Sequence, residues 1–282
     1  MPTDGLMPQK IRKAVSALKL KKNRKQSGLI LVEGVHPIEE AVRAGLSLTM
    51  LFYSQDSRLP FQTDVSRVLK ATKTQYVVDT LTMKKLTTTD TPVSVAAVFA
   101  MPKPTALPES DCNNTSTTTS QRSHNHFILL DALQDPGNVG TILRCASAFG
   151  ISQIVCTENS VDAFSPKVIR ASSGLVFRSQ IYQINHLTLS NWLSNTSLPI
   201  FLTGPNIPDA YNYKQINYHE GFILALGNEG QGLSLDRYNQ YKTIQLVTVP
   251  MHAGVESLNV AMTAGIILSE AYSQSETYAK HA

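Results

Sequence analysis

Apolar residues along this chain fall into short runs separated by polar turns, and their spacing alternates between helix-like and strand-like. Residues 8–22 predict a helix: Ile11, Ala14, Val15 and Leu18 form one apolar stripe, with lysine and arginine on the other face. Residues 29–33 (LILVE) predict a strand, followed by Gly34. A helix is expected over 37–44, with Pro37 in its first turn and Gly45 at its end. Further strands are expected at 48–53, 75–79 and 93–100, with helices at 61–73 and 81–87 between them. This alternation predicts a small α/β domain over residues 1–100.

The pattern breaks over residues 101–126, which are rich in Pro, Ser, Thr and Asn and have little to bury. This stretch reads as a flexible linker. His124 and His126 lie within it at i, i+2, a spacing that suits solvated linker residues better than a metal pair without further ligands. A second domain, residues 127–282, restarts with the buried-type strand 127–130 (FILL). A helix follows from about Val139 to Phe149, stopped by Gly150. Later strands are expected at 153–156, 180–184, 200–203, 222–226 and 244–249, with a helix at 187–194 around Trp192. Continuous apolar strands between helices predict a mostly parallel sheet covered on both faces. The last stretch, 250–271, reads as a Pro/Gly loop, a cap at Ser257, and a helix with many small residues.

The chain has 282 residues, ample for two domains, and a formal charge of +4. The distribution of charge matters more than its sum. Eight cations and no carboxylate lie between Lys10 and Lys25. A face of one sign suits a phosphate-seeking arm, although a solvated helix surface gives the same pattern. Cys112, Cys145 and Cys156 lack metal-ligand spacing and read as free thiols in a reducing compartment. No apolar run is long enough to span a membrane and no signal-peptide core is evident, so a cytoplasmic protein without membrane or metal partners is expected.

Three constellations can carry chemistry. The first is Asp135-Pro136-Gly137-Asn138-Val139-Gly140 followed by Arg144. Asn138 suits a helix cap, and Arg144 taken alone also suits a structural ion pair. The second is the glycine-rich run 226–232, directly after strand FILAL. It is neither a P-loop nor a dinucleotide fingerprint, because no Lys-Ser/Thr follows it and it does not lie in a first βαβ unit. The third is the stretch holding Pro250, Met251, Gly254, Ser257 and Asn259.

Together these motifs resemble the SpoU (TrmH) family of RNA ribose 2′-O-methyltransferases, in the SPOUT class. The family's first motif is similar to Asn138-Val-Gly140, Arg144 and Ala148-Phe149-Gly150; its second to Gly227-Asn-Glu229-Gly230; its third to Pro250-Met251, Gly254 and Ser257-Leu258-Asn259. The resemblance spans about residues 127–272. Asn23-Arg24-Lys25, Val32-Glu33-Gly34 and Glu39-Glu40-Ala41 resemble, more weakly, the L30e-like substrate-binding domain attached to many members.

The resemblance implies a C-terminal α/β domain of SPOUT type, with a parallel sheet and a deep trefoil knot, and a smaller N-terminal L30e-like α/β domain. Knots are rare and would not be inferred from periodicity. It implies S-adenosylmethionine as cofactor, held by backbone at Leu226, Gly227, Val249, Met251 and Leu258, with Gly204 lining the same pocket. Main-chain groups between aliphatic side chains suit adenine. Arg144 is implied at the ribose 2′-hydroxyl. A guanidinium stays protonated at ordinary pH, so stabilising a developing alkoxide suits it better than acting as base. Asn138 would orient Arg144 or the ribose, and Glu229 would fix the loop or Arg144. Ser257 and Asn259 would hold the helix start and the target nucleotide, although both also suit simple capping. RNA affinity would come from the basic arm, Lys21, Lys22, Arg24 and Lys25 in particular. A homodimer is implied. The two-domain build favours large-subunit rRNA over tRNA, with a non-catalytic ribosome-assembly protein as the competing class.

Overall fold

The structure, a computed structural model, describes residues 7–54, 66, 69, 72–91, 93–108, 125–204, 209–228, 233, 235–241 and 243–275. They pack as two compact units: Met1–Lys103 with Asp162–Arg178, and Pro104–Val161 with Ser179–Ala282. The helix expected at 61–73, Cys112, His124 and Glu229 fall wholly or largely outside the described residues.

The first unit is built on a mixed sheet of β1 (Leu29–Glu33), β2 (Leu48–Ser54), β3 (Gln75–Val78) and β4 (Val95–Ala100), in the order β1-β4-β2-β3. β4 runs antiparallel to β1 and β2, and β2 is parallel to β3. Alternation sends Leu31, Phe52, Ala96 and Val98 to one face. There they meet Val15 and Leu18 from the end of α1 (Gln9–Ala17) and Met83 and Leu86 of α4 (Thr80–Leu86).

The single helix expected over 8–22 is two. α1 ends at Ala17, and α2 (Lys21–Ser27) begins after a turn. The reason lies in the carbonyls that a helix end leaves unpaired. Asn23 Nδ2 donates to Ala17 O at 2.9 Å, and Arg24 Nη1 donates to Leu18 O at 2.8 Å and Lys19 O at 2.9 Å. α2 therefore closes α1, and its own end is Gly28 in the left-handed region at φ 66°.

Asp162–Arg178 joins this unit through α6 (Pro166–Ala171) and a 3-10 turn at Leu175–Arg178. No apolar periodicity announced these short elements. Three arginine–carboxylate pairs hold the segment. Arg24 Nη2 lies 2.5 Å from Asp162 Oδ2, Arg170 Nη1 2.8 Å from Glu33 Oε2, and Arg178 Nε 2.6 Å from Glu40 Oε2. The last pair is bidentate, with Arg178 Nη2 donating to Glu40 Oε1 at 2.8 Å. Gly174 has φ 82°, and a Cβ there would sit 2.6 Å from Pro37 Cα, so only glycine fits. Pro37 itself lies in α3 (Val35–Arg43).

The second unit is a seven-stranded sheet in the order β7-β6-β5-β10-β8-β11-β9, and every pairing is parallel. Its strands are β5 (His126–Asp131), β6 (Gln153–Thr157), β7 (Gln180–Ile184), β8 (Ile200–Thr203), β9 (Tyr211–Asn212), β10 (Phe222–Gly227) and β11 (Ile244–Thr248). β5 and β10, at the centre, are buried on both faces, which is why FILL and FILAL read as unbroken apolar runs. On one face, Phe127, Leu129, Ile223 and Ala225 pack with Leu189, Trp192 and Leu193 of α7 (His186–Asn195) and with Tyr238 of α8 (Leu235–Tyr238). The other face is covered by α5 (Pro136–Ala148) and α9 (Val260–Ser273), which pack on each other. β5 starts one residue early, and His126 stacks on Phe222 at 4.4 Å between ring centres instead of lying in the linker.

Candidate functional site

In a parallel sheet a ligand crevice forms outside the carboxyl ends of two neighbouring strands whose connections leave in opposite directions. β5 and β10 meet that condition. β5 leads through α5 to β6 on one side, whereas β10 leads to β11, beyond β8, on the other. Their ends are in register, Gly227 opposite Asp131.

The loop after β5 is tightly held. Ala132, at φ 57°, donates its N–H to Thr157 Oγ1 at 3.0 Å and accepts from Asn228 Nδ2 at 3.1 Å. Val161 N–H donates to Leu133 O at 2.8 Å. The start of α5 is capped by Asp135, whose carboxylate accepts from Asn138 N–H at 2.7 Å, with Pro136 in the first turn. Asn138 is therefore not the cap that its residue type suggested. It lies within the first turn, and its side chain reaches across to the other helix: Asn138 Oδ1 accepts from Asn259 Nδ2 at 2.9 Å.

Asn259, and not Ser257, caps α9. Its Oδ1 accepts from Ala261 N–H at 2.9 Å and Met262 N–H at 3.3 Å. Both residues are chemically suited to capping, and the helix start two residues later than expected selects the asparagine. Ser257 is exposed in the preceding loop, and Leu258 is half-buried. One side chain thus caps α9 and bridges to the first turn of α5 across a separation of 121 residues. Arg144 lies further along α5 and is exposed, with no hydrogen bond or ion pair to any described residue. The structural ion pair that it could have made alone is absent among the described residues.

Four of the six positions expected to line a cofactor pocket lie at strand ends. β10, β8 and β11 are neighbours, and their pairings run through Ala225–Leu202 and Val247–Thr203. Leu226, Gly227, Gly204 and Val249 therefore sit at or just past the carboxyl ends of three adjacent strands. Leu226 and Gly227 are buried, whereas Gly204, Val249 and Met251 are half-buried. Thr203 Oγ1 donates to Ala225 O at 3.1 Å, which fixes this edge.

Asp131 is the last residue of β5. It is 4% exposed, and its Oδ2 accepts from Arg237 Nη1 at 2.9 Å and Tyr238 Oη at 2.8 Å. Burial, then the Asp131 charge, push the Tyr238 hydroxyl above the ordinary phenol range. Asp131 Oδ1 is buried and has no hydrogen-bond partner among the described residues. Apolar strand ends and one unpartnered acceptor suit a nucleoside ligand that carries hydrogen-bond donors. No signal in the sequence marked this trio, because its members are 106 and 107 positions apart.

On the outer side of the helices, a groove of about 530 Å³ runs between α5 and α9, lined by Thr141, Cys145, Phe149, Ala261, Met262 and Gly265. Burial pushes the Cys145 thiol up, partly offset by the Arg144 charge. Among the described residues no group of three His, Cys, Asp or Glu side chains could hold a metal ion, and no helix is long and apolar enough to cross a membrane.

In the first unit the expected RNA contacts divide. Lys22 and Lys25 are exposed and Lys21 is half-buried. Arg24 is 2% exposed and fully engaged by Asp162 and two carbonyls, so the expectation that it meets phosphate is corrected. Its guanidinium is a structural group.

Comparison with known proteins gives a consistent picture. Residues 125–269 match the model of the SpoU rRNA Methylase family, and residues 9–97 match that of the MRM3-like substrate binding domain. The chain is 29% identical over 251 residues to the 23S rRNA (guanosine(2553)-2'-O)-methyltransferase RlmP of Bacillus subtilis, covering 89% of this chain and 91% of that protein. It is 32% identical over 257 residues to an uncharacterized tRNA/rRNA methyltransferase of Synechocystis, covering 90% of this chain and 87% of that one. The crystal structure of an AdoMet-bound rRNA methyltransferase from Sinorhizobium meliloti superposes with a TM-score of 0.77 at 26% identity, over 94% of this chain and 96% of that one.

Proposed function

The chain belongs to the SpoU rRNA methylase family, and on that premise we propose that it transfers a methyl group from S-adenosylmethionine to a ribose 2′-hydroxyl of large-subunit rRNA. The cofactor supplies the electrophilic methyl group when bound. Leu226, Gly227, Gly204, Val249, Met251 and Leu258 hold it, chiefly through main-chain groups between aliphatic side chains. The observation that carries this reading is the convergence of three sequence-distant stretches at one end of the sheet: the β10 end, the β11 end, and the helix pair joined by Asn138 and Asn259.

Arg144, exposed on α5 without a described partner, is the cation available to a developing 2′-alkoxide. The Asn138–Asn259 bridge fixes the start of α5 against the start of α9, so the positions of Arg144 and of the loop before α9 are set together. Glu229 and Ser257 are assigned to holding the loop and the target nucleotide. Residues 1–100 receive RNA, the stretch from 101 to the start of β5 at His126 links, and the residues from β5 onward carry out transfer. The knot is part of this reading: β10 lies between β5 and β8 although it follows both in sequence. So is a homodimer, formed over the small-residue groove of α5 and α9, where Met262 is 56% exposed. A cytoplasmic site of action belongs to the same reading.

The test is transfer from labelled S-adenosylmethionine to total RNA by the wild type and Arg144→Ala. Label enters large-subunit rRNA, and the variant loses about 10²- to 10³-fold in rate, as expected when one electrostatic stabiliser of a transition state is removed. Cofactor binding, measured by calorimetry, is retained. Label in tRNA instead overturns the substrate assignment, and a fully active Arg144→Ala overturns the role of Arg144.

A further inference from the structure

The basic arm covers residues 10–25, and the fold places two more lysines beside it. α1, the turn after it, α2 and α4 contain no carboxylate. The carboxylates of the described part of this unit are occupied elsewhere. Glu33, Glu40 and Asp162 pair with arginines, and Glu39 lies 3.8 Å from Arg43. Asp79, also exposed, caps the far end of α4 through Thr82 N–H, and Asp90 is exposed beyond its other end. Internal pairing thus draws Glu33, Glu39, Glu40 and Asp162 inward, and leaves Lys84 and Lys85, at the end of α4 away from Asp79, without a paired carboxylate among the described residues.

α4 presents that surface by simple periodicity. Met83 and Leu86 are buried against the sheet, whereas Leu81, Lys84 and Lys85, at i, i+3 and i+4, share the outer face and are exposed. The C-terminal carbonyl of Lys85 accepts from Lys19 Nζ at 2.8 Å and Ser16 Oγ at 3.1 Å. That contact joins the end of α1 to the end of α4, 66 residues apart in sequence. Lys19 already satisfies the helix terminus, so the ammonium groups of Lys84 and Lys85 are left to solvent.

We infer that Lys84 and Lys85 contact RNA phosphates, so that the binding surface of this unit extends from the basic arm onto α4. The inference rests on the RNA-binding reading of residues 1–100 given above. Phosphate contact by lysine is independent of base sequence and appears in the salt dependence of binding.

The experiment measures binding of labelled poly(U) RNA by fluorescence anisotropy across a series of salt concentrations. The wild type gives a linear fall of log K with log salt. Lys84→Gln/Lys85→Gln lowers the magnitude of that slope by about 1.4, from two single-strand phosphates at about 0.7 each. Lys84→Arg/Lys85→Arg keeps the wild-type slope. Lys73→Gln, before the amino end of β3 and so away from α4, leaves it unchanged. A loss of affinity without a change of slope, or an unchanged double glutamine variant of a wild type that binds with salt dependence, overturns this inference alone. A wild type without salt-dependent binding overturns both this inference and the RNA reading beneath it.

Discussion

Asn259 performs two tasks with the two ends of one amide, and substitution can separate them. Its Oδ1 caps α9 at Ala261 and Met262, while its Nδ2 donates to Asn138. Asn259→Ala removes both. Loss of an asparagine cap costs about 1 kcal/mol. The bridge, between side chains that reach solvent, adds about 0.5–1 kcal/mol. The expected total is about 1.5–2 kcal/mol, or about 3–8 °C in the melting temperature of a domain this size. Asn259→Asp keeps the acceptor, places a negative charge at a helix N-terminus, and removes the donor to Asn138. The favourable charge, about 0.3–1 kcal/mol, offsets the lost bridge, so stability stays within about 0.5 kcal/mol of wild type. Activity separates the two further, because transfer depends on the bridge and not on the cap. Both variants are then slow, but only the alanine variant is unstable. In an Asn138→Ala background the aspartate substitution slows transfer no further, since the partner is already gone. The assay is thermal unfolding of each variant without cofactor, together with single-turnover methyl transfer. An aspartate variant as unstable as the alanine variant refutes the capping role. An aspartate variant with wild-type transfer refutes the bridge as a positioning device.

Arg24→Met leaves Asp162, 12% exposed in its side chain, without its cation, and destabilises the first unit by about 3–5 kcal/mol, whereas Lys22→Met and Lys25→Met stay within about 0.5 kcal/mol. Denaturant unfolding distinguishes these, and a wild-type midpoint for Arg24→Met refutes the structural role. Gly174→Ala forces a Cβ to within 2.6 Å of Pro37 Cα at a positive φ, and lowers stability by about 1–3 kcal/mol; a neutral result in the same assay removes the steric argument. Asp79 has its pKa lowered from 3.8, chiefly by the Thr82 N–H bond, so its contribution to α4 is present above the unfolded value and lost as pH falls through the lower folded one. Protection of the Thr82 amide, relative to its intrinsic exchange rate, should therefore fall below about pH 4, and Asp79→Asn should abolish that pH dependence while keeping the cap; an unchanged acid transition in the variant contradicts this.

Most of the strands were legible because their signals are local. FILL and FILAL are apolar on both faces, and such runs have few alternatives to the centre of a parallel sheet. The motif positions were legible for the same reason, since each cluster sits at one strand end. What the sequence misread were choices between chemically equivalent neighbours. Ser257 and Asn259 both cap well, and Asp135 and Asn138 both cap well; the winners were set by where α9 and α5 begin when packed together. Arg24 looked like its exposed neighbours because charge pattern carries no information about depth. Its partner Asp162 is 138 residues away, and only the return of Asp162–Arg178 to the first unit brings them within 2.5 Å. The same holds for Asp131 with Arg237 and Tyr238, and for Lys84 and Lys85 beside Lys19. Sequence by itself determined the elements, their order and the chemistry available at their ends, because propensity and periodicity act over a few residues. Tertiary structure alone decided which polar groups are buried, paired or left facing outward, because desolvation and pairing depend on neighbours that local sequence does not contain.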